Sequence, residues 1–138
     1  MAPAAIPLLN GAPVVLVVDD EEVIREVCTI MVSDAGGKPL VGVDGVDGVE
    51  VFAENQDSIQ CVVIDFSMPN MNGHQAVVEM RKMRAGLPAV MISGLKRTPE
   101  MEALCKDGTV EFLAKPFRAE SLIGAINRVV EKSGSARG

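Results

Sequence analysis

A single doubly wound α/β domain, built on a five-stranded parallel sheet with helices on both faces, is the fold this sequence predicts. Three observations lead to it. Apolar runs of strand length alternate five times with stretches of helical periodicity. Those runs are nearly continuous in Val, Ile and Leu, as strands covered on both faces are. The chain has 138 residues, enough for one domain with a sizeable core, and no repeat or composition break divides it.

The first strand is read at 14–19, five apolar residues and the first of four consecutive acids. A helix is expected over 21–34, with Val23, Val27, Ile30 and Met31 turned inward and Gly36-Gly37 ending it. A weak second strand at 38–43 precedes a short helix at 47–54. The third strand, "QCVVID", closes at Asp65 and opens into the loop "FSMPNMNG". The third helix is placed at 73–84, burying Ala76, Val77 and Met80, and "LPAVMIS" is the fourth strand. The fourth helix is placed at 98–106, where Thr98 is a suitable N-cap with Pro99 at the first helical position. "VEFLA" is the last strand, ending at Lys115-Pro116, and the last helix is placed at 118–131. Residues 1–12 read as a leader or linker, 13–131 as the domain, and 132–138, with "SGSARG", as a flexible polar tail.

Composition narrows the function. The formal net charge is −6 and no block of Lys or Arg stands out, which argues against direct binding of nucleic acid, whose phosphates call for a basic stripe. No apolar run approaches membrane-spanning length, and "MAPAAIPLLNGAP" lacks the cationic start of a signal peptide. Cys28, Cys61 and Cys105 are odd in number, with no metal-ligand spacing; reduced thiols in a cytoplasmic protein are the expectation.

In an open α/β sheet, ligands bind outside the carboxyl ends of the strands. Those ends carry Asp19-Asp20, Asp65, Ser93-Gly94 and Lys115-Pro116. Three converging carboxylates repel one another unless a cation joins them, and hard oxygen donors left partly open suit Mg²⁺. A metal alone explains neither Ser93 nor Lys115. A phosphoryl group, with charge on several oxygens, explains both. A carboxylate can then act as the nucleophile, and Asp65 is the candidate because it closes the central buried strand beside an open loop. Glu21 and Glu22 read as first-turn helix acids with no chemistry, and His74, just after Gly73, as a solvent-facing residue. "VDGVDGV" lacks the acid spacing of a calcium loop and reads as a turn and helix start.

"VLVVDDE", "VVIDFSMPNMNG", "VMISG" and "FLAKPF", in this order and each at a strand end, resemble the receiver domain of two-component response regulators over 13–131. The resemblance implies a flavodoxin-like (βα)5 fold with strand order 2-1-3-4-5. It implies a phosphoprotein of a phosphorelay, in which Asp65 takes a phosphoryl group from a phosphohistidine on a histidine kinase or histidine phosphotransfer protein. Mg²⁺ would be ligated by Asp20, Asp65 and the Ser67 backbone carbonyl, with Asp19 acting through water. Lys115 would pair with Asp65 and then with the phosphoryl oxygens, and Lys115-Pro116 would be a cis peptide. Ser93 would donate to the phosphoryl group and move toward it, vacating space for the ring of Phe112. An inward ring would reshape the face made by the fourth helix, last strand and last helix.

Two features depart from the common family pattern. The switch aromatic is Phe112 instead of Tyr, so no hydroxyl anchors its outward state. "KDGTVEF" lacks the acidic pair and Tyr of the winged-helix transcription-factor subfamily, which disfavours that subfamily's dimer while leaving a homodimer open. With no output domain after the last helix, the expectation is a single-domain regulator or a receiver excised from a hybrid kinase, not a turnover enzyme. The alternatives weighed are a haloacid-dehalogenase-like phosphatase, which wants a DxD motif on the first strand, and a docking pseudo-receiver, which normally loses acids or the lysine. A nucleotide-binding domain would need a Gly-rich loop that "VVDDEEV" does not supply.

Overall fold

The computed structural model describes residues 8–137. Five strands, β1 (Val14–Val18), β2 (Lys38–Gly42), β3 (Ile59–Asp65), β4 (Ala89–Ser93) and β5 (Val110–Ala114), alternate with five helices. The helices are α1 (Glu22–Asp34), α2 (Gly45–Asn55), α3 (Gly73–Met83), α4 (Pro99–Leu104) and α5 (Ala119–Arg137). All strand pairs are parallel and the order is β2-β1-β3-β4-β5, as expected. Side chains alternate across each strand, so the sheet divides the core in two. Leu16, Val18, Ile64 and Met91 meet Phe52 of α2, Ala76 and Met80 of α3 and Met101 of α4. Val15, Val17, Val63 and Ile92 meet Cys28 and Val32 of α1 and Leu122 and Ile126 of α5.

Local chemistry starts the helices: α3 begins at Gly73 as expected, while α2 begins at Gly45, two residues before the expected start. Asn72 and Gln75 form a reciprocal capping box at α3, with bonds of 2.8 and 2.9 Å. Thr98 accepts from the Met101 N–H at α4, and Asp44 from the Asp47 N–H at α2. These satisfy backbone donors that the first helical turn leaves free.

Three expectations fail, each for a tertiary reason. The inner face of α1 is not the stripe Val23, Val27, Ile30. Val23 and Ile30 are 69% and 58% exposed, while Cys28, Val32 and Ala35 are buried, with Ile24 and Met31 packed beside them. Both stripes satisfy a 3.6-residue period; the one that continues into Ala35 seats on the sheet. Of the supposed leader, residues 1–7 lie outside the described residues, but Leu8, Leu9 and Asn10 are bonded to the domain. The Leu9 N–H donates to the Ala35 carbonyl at 2.9 Å, and its side chain is buried beside Val32 and Ala35. Asn127 of α5 accepts from the Asn10 N–H and donates to the Leu8 carbonyl. A Cβ on Gly37 would lie 2.6 Å from Leu9 Cδ1, so this glycine makes room for the leader as well as ending α1. Finally, α5 runs to Arg137 through the expected tail. Ser133 is buried and its hydroxyl donates to the Gly86 carbonyl at 3.2 Å, a tertiary tie that overrides the weak helix propensity of Ser and Gly.

Candidate functional site

Parallel pairing delivers the ends of β1, β3, β4 and β5 to one rim. Asp19 immediately follows β1 and Asp65 ends β3; they are 1% and 3% exposed. An acid this deep needs donors, and each gets a backbone one: the Glu21 N–H to Asp19 Oδ1 at 2.8 Å, and the Ser67 N–H to Asp65 Oδ1 at 3.2 Å. Asp19 Oδ2 is buried without a hydrogen-bond partner.

Lys115 stands across the rim, its Nζ 3.7 Å from Asp65 Oδ1 and 3.9 Å from Glu21 Oε1. Its N–H donates to the Ser93 carbonyl at 3.0 Å, fixing the end of β5 to that of β4. The Lys115–Pro116 peptide is cis, as expected. Asp65 lies opposite Ile92 in the β3–β4 register, which sets the buried Ser93 one residue beyond it. Ser93 Oγ accepts from the Leu95 N–H at 3.0 Å, leaving the hydroxyl hydrogen to be donated.

Burial dominates the electrostatics. It raises the Asp19 carboxyl to about 6, against the lowering effect of the Glu21 N–H, and the nearby charges of Asp65 and Asp20 push the same way. Asp65 is raised chiefly by burial as well, opposed first by Lys115 and then by the Ser67 N–H. Two buried carboxyls held above their ordinary range, one with an orphaned oxygen, mark a place where positive charge is wanted.

Asp19, Glu21 and Asp65 each offer a carboxylate oxygen, and the three lie within 4.8 Å of one another. Glu21 is the residue that sequence reasoning missed. It is the N-cap of α1, in extended backbone with no capping hydrogen bond from its side chain, so it belongs to the rim and not to the first turn. Its place directly after Asp19-Asp20 was the available signal. Asp20 is exposed and stands outside that trio, although its charge is felt by both buried acids. A set of hard oxygens fits Mg²⁺. Beside it, an ammonium and a hydroxyl could hold an anion with charge on several oxygens.

Phe112 is buried at 9% exposure. Its ring meets Phe66 edge-on, centroids 5.5 Å apart and planes at 66°, and its carbonyl accepts from Arg97 Nη2 at 3.0 Å. His74 is half-buried on α3, at a shallow cleft with Met71 and Val78, and takes no part in the rim.

Residues 15–127 match the family model of the response regulator receiver domain. The response regulator protein TodT of Pseudomonas putida is 28% identical over 130 residues, 93% of this chain and 56% of TodT. The sensor kinase CckA of Brucella abortus is 28% identical over 124 residues, 90% of this chain and 13% of CckA. The chain thus spans about half or less of the length of these relatives. Among solved structures, a response regulator receiver domain protein of Clostridium thermocellum superposes with a TM-score of 0.81 at 27% identity, covering 90% of this chain and 98% of that one. The chemotaxis protein CheY4 of Vibrio cholerae gives 0.77 at 27% identity, covering 86% and 99%.

Proposed function

This chain belongs to the response regulator receiver domain family, and on that premise we propose that Asp65 is its phosphoacceptor. An Asp65 carboxylate oxygen attacks the phosphorus of a phosphohistidine on a histidine kinase or phosphotransfer protein. The P–N bond breaks, an acyl phosphate forms, and the departing imidazole nitrogen takes up a proton. The observation that carries this reading is the buried Asp65 facing Lys115 at 3.7 Å beside the orphaned oxygen of Asp19. Lys115 holds the carboxylate in its charged, nucleophilic form and then meets the phosphoryl oxygens, to which Ser93 donates its hydroxyl. Mg²⁺ would be held by Asp20, Asp65 and the Ser67 carbonyl, with Asp19 through water and Glu21 added at the rim; when bound it neutralises charge on the transferring group. Water attack on the acyl phosphate resets the domain, so it signals without serving as a turnover enzyme.

The donor must reach the rim, and α1 offers it a landing face. Val23, Val27 and Ile30 project outward beside the acids, and a helical rise of about 1.5 Å per residue spreads them over roughly 10 Å from the rim. The receiver unit comprises 13–131 with the flanking 8–12 and the end of α5. No helix among the described residues is long and apolar enough to cross a membrane. Nothing favours a haloacid-dehalogenase-like phosphatase or a docking pseudo-receiver: there is no DxD on β1, and the acids, hydroxyl and lysine are all present.

Incubation with acetyl phosphate and Mg²⁺, followed by mass spectrometry, tests the reading. One base-labile phosphoryl adduct per chain, absent in Asp65→Asn, is expected. Sustained turnover of phosphomonoesters would instead indicate a phosphatase, and no adduct from any donor a docking module.

A further inference from the structure

Asp19, Asp20 and Glu21 make up the whole connection from β1 to α1, and three neighbouring carboxylates favour any path of that segment that spreads them apart. The sheet does not hold it. Val18 pairs with Gly42, the Asp19 N–H adds one bond to the Gly42 carbonyl at 3.3 Å, and β2 ends there. The next bond of a parallel ladder would run from the Asp19 carbonyl back to β2, but the strand has no residue left to donate it. Arg25, on α1, takes that place. Its Nη1 donates to the Asp19 carbonyl at 2.7 Å, a charge-assisted bond. Its backbone N–H makes the first bond of the helix, to the Glu21 carbonyl at 3.0 Å. One residue thus holds the first and the last carbonyl of the acidic segment.

We infer that Arg25 is a positioning residue for the acids of the rim: it fixes the peptide between Asp19 and Asp20, and with it the direction in which Asp20 and Glu21 leave the chain. The inference rests on the reading of that rim as the Mg²⁺-assisted site of phosphoryl transfer to Asp65. Among the described residues Arg25 forms no ion pair, so it acts on the acids through their backbone. It is half-buried in the shallow groove between α1 and β2, alongside Ile30 and Val41, which shields the bond from full competition by water. Its own carbonyl accepts from the Thr29 hydroxyl at 2.7 Å, one turn farther into the helix. Oxygens already fanned toward one point bind a cation without first being gathered against their mutual repulsion, and a segment released from Arg25 would have to be gathered at the expense of affinity.

The test follows urea denaturation by circular dichroism, in EDTA and in rising Mg²⁺ at constant ionic strength, for wild type, Arg25→Gln, Arg25→Lys and Thr29→Val. The Mg²⁺ dependence of the midpoint gives the affinity of the folded protein separately from its stability in EDTA. Gln is a good helix former but too short to span the bond to Asp19, so Arg25→Gln should fold and bind Mg²⁺ about tenfold more weakly, as loss of a group orienting metal ligands does. Arg25→Lys keeps a cationic donor on a long stem and should lie closer to wild type than to Arg25→Gln. Thr29→Val disturbs α1 without touching the Asp19 carbonyl; whatever it does to the midpoint in EDTA, it should keep the Mg²⁺ affinity of wild type, which a general packing role for Arg25 would not predict. Equal affinity in wild type and Arg25→Gln, or an Arg25→Lys or Thr29→Val as weak as Arg25→Gln, overturns the inference. Acetyl phosphate labelling of wild type decides the phosphoacceptor reading separately, since absence of an adduct there would leave the Mg²⁺ comparison standing.

Discussion

Replacing Asp19 by Asn is expected to make the metal-free protein more stable at pH 7.5, against the usual result of altering a buried polar residue. Asp19 Oδ1 accepts the Glu21 N–H, a bond that an amide oxygen can keep. The other oxygen is orphaned, and an amide NH₂ there could donate toward the neighbouring acids. The charge is what costs. The folded carboxyl is raised from 3.8 to about 6, so the native state binds its proton more tightly than the unfolded chain does. This contribution is fully present below about pH 4 and is lost as pH rises to about 6. At ~1.4 kcal/mol per tenfold change in proton affinity, the loss is ~3 kcal/mol, a ceiling because Asp20 and Glu21 are exposed and water reaches the rim. For a chain of this size that is on the order of 10 °C in Tm. Asp65 shifts with the same sign, so the variant removes part of the pH dependence and leaves the rest. Urea denaturation in EDTA at pH 4, 5, 6 and 7.5 measures it: the stability difference between variant and wild type should open across this range. Millimolar Mg²⁺ should then stabilise wild type more than the variant. A variant less stable than wild type at pH 7.5 in EDTA would refute the reasoning.

Other perturbations follow the same geometry. Gly73→Ala places a Cβ 2.5 Å from the Asp65 carbonyl oxygen and 3.0 Å from Phe66 Cα; since both are backbone, a loss of about 1–3 kcal/mol is expected in denaturant titrations, with slower adduct formation from displacement of Asp65. Leu9→Ala should cost about 2–5 kcal/mol, where a true leader would cost nothing measurable by calorimetry. Ile30→Asp on the outward face of α1 should change stability by less than about 0.5 kcal/mol and leave acetyl phosphate labelling intact. Phosphotransfer from the cognate kinase should nevertheless fall by about tenfold or more, as loss of one buried anchor would produce; equal transfer rates would remove α1 from the docking face.

Much of the site was legible in the chain because it is written at strand ends. Once five buried strands are recognised as parallel, Asp19, Asp65, Ser93 and Lys115 must meet at one rim, whatever the details of packing. The start of α4 was equally legible, since Thr98 acts on a donor only three residues away. Glu21 was not, because its assignment turned on whether α1 begins at that residue or the next, and such boundaries are set by the path of the chain out of β1.

What the sequence determined by itself, then, is the alternation of elements, the parallel sheet and the strand ends that carry Asp19, Asp65, Ser93 and Lys115, all of which rest on local periodicity. The three-dimensional packing decided which of two apolar stripes of α1 faces the sheet, that Leu9 is core, that α5 continues past Ser133, and that Phe66 lies against Phe112. These depend on partners remote in sequence: Ala35 and Asn127 for the leader, Gly86 for Ser133, and β5, across β4, for the Phe66 ring. Periodicity says that a face is apolar; only the competing surfaces of the folded chain select what covers it.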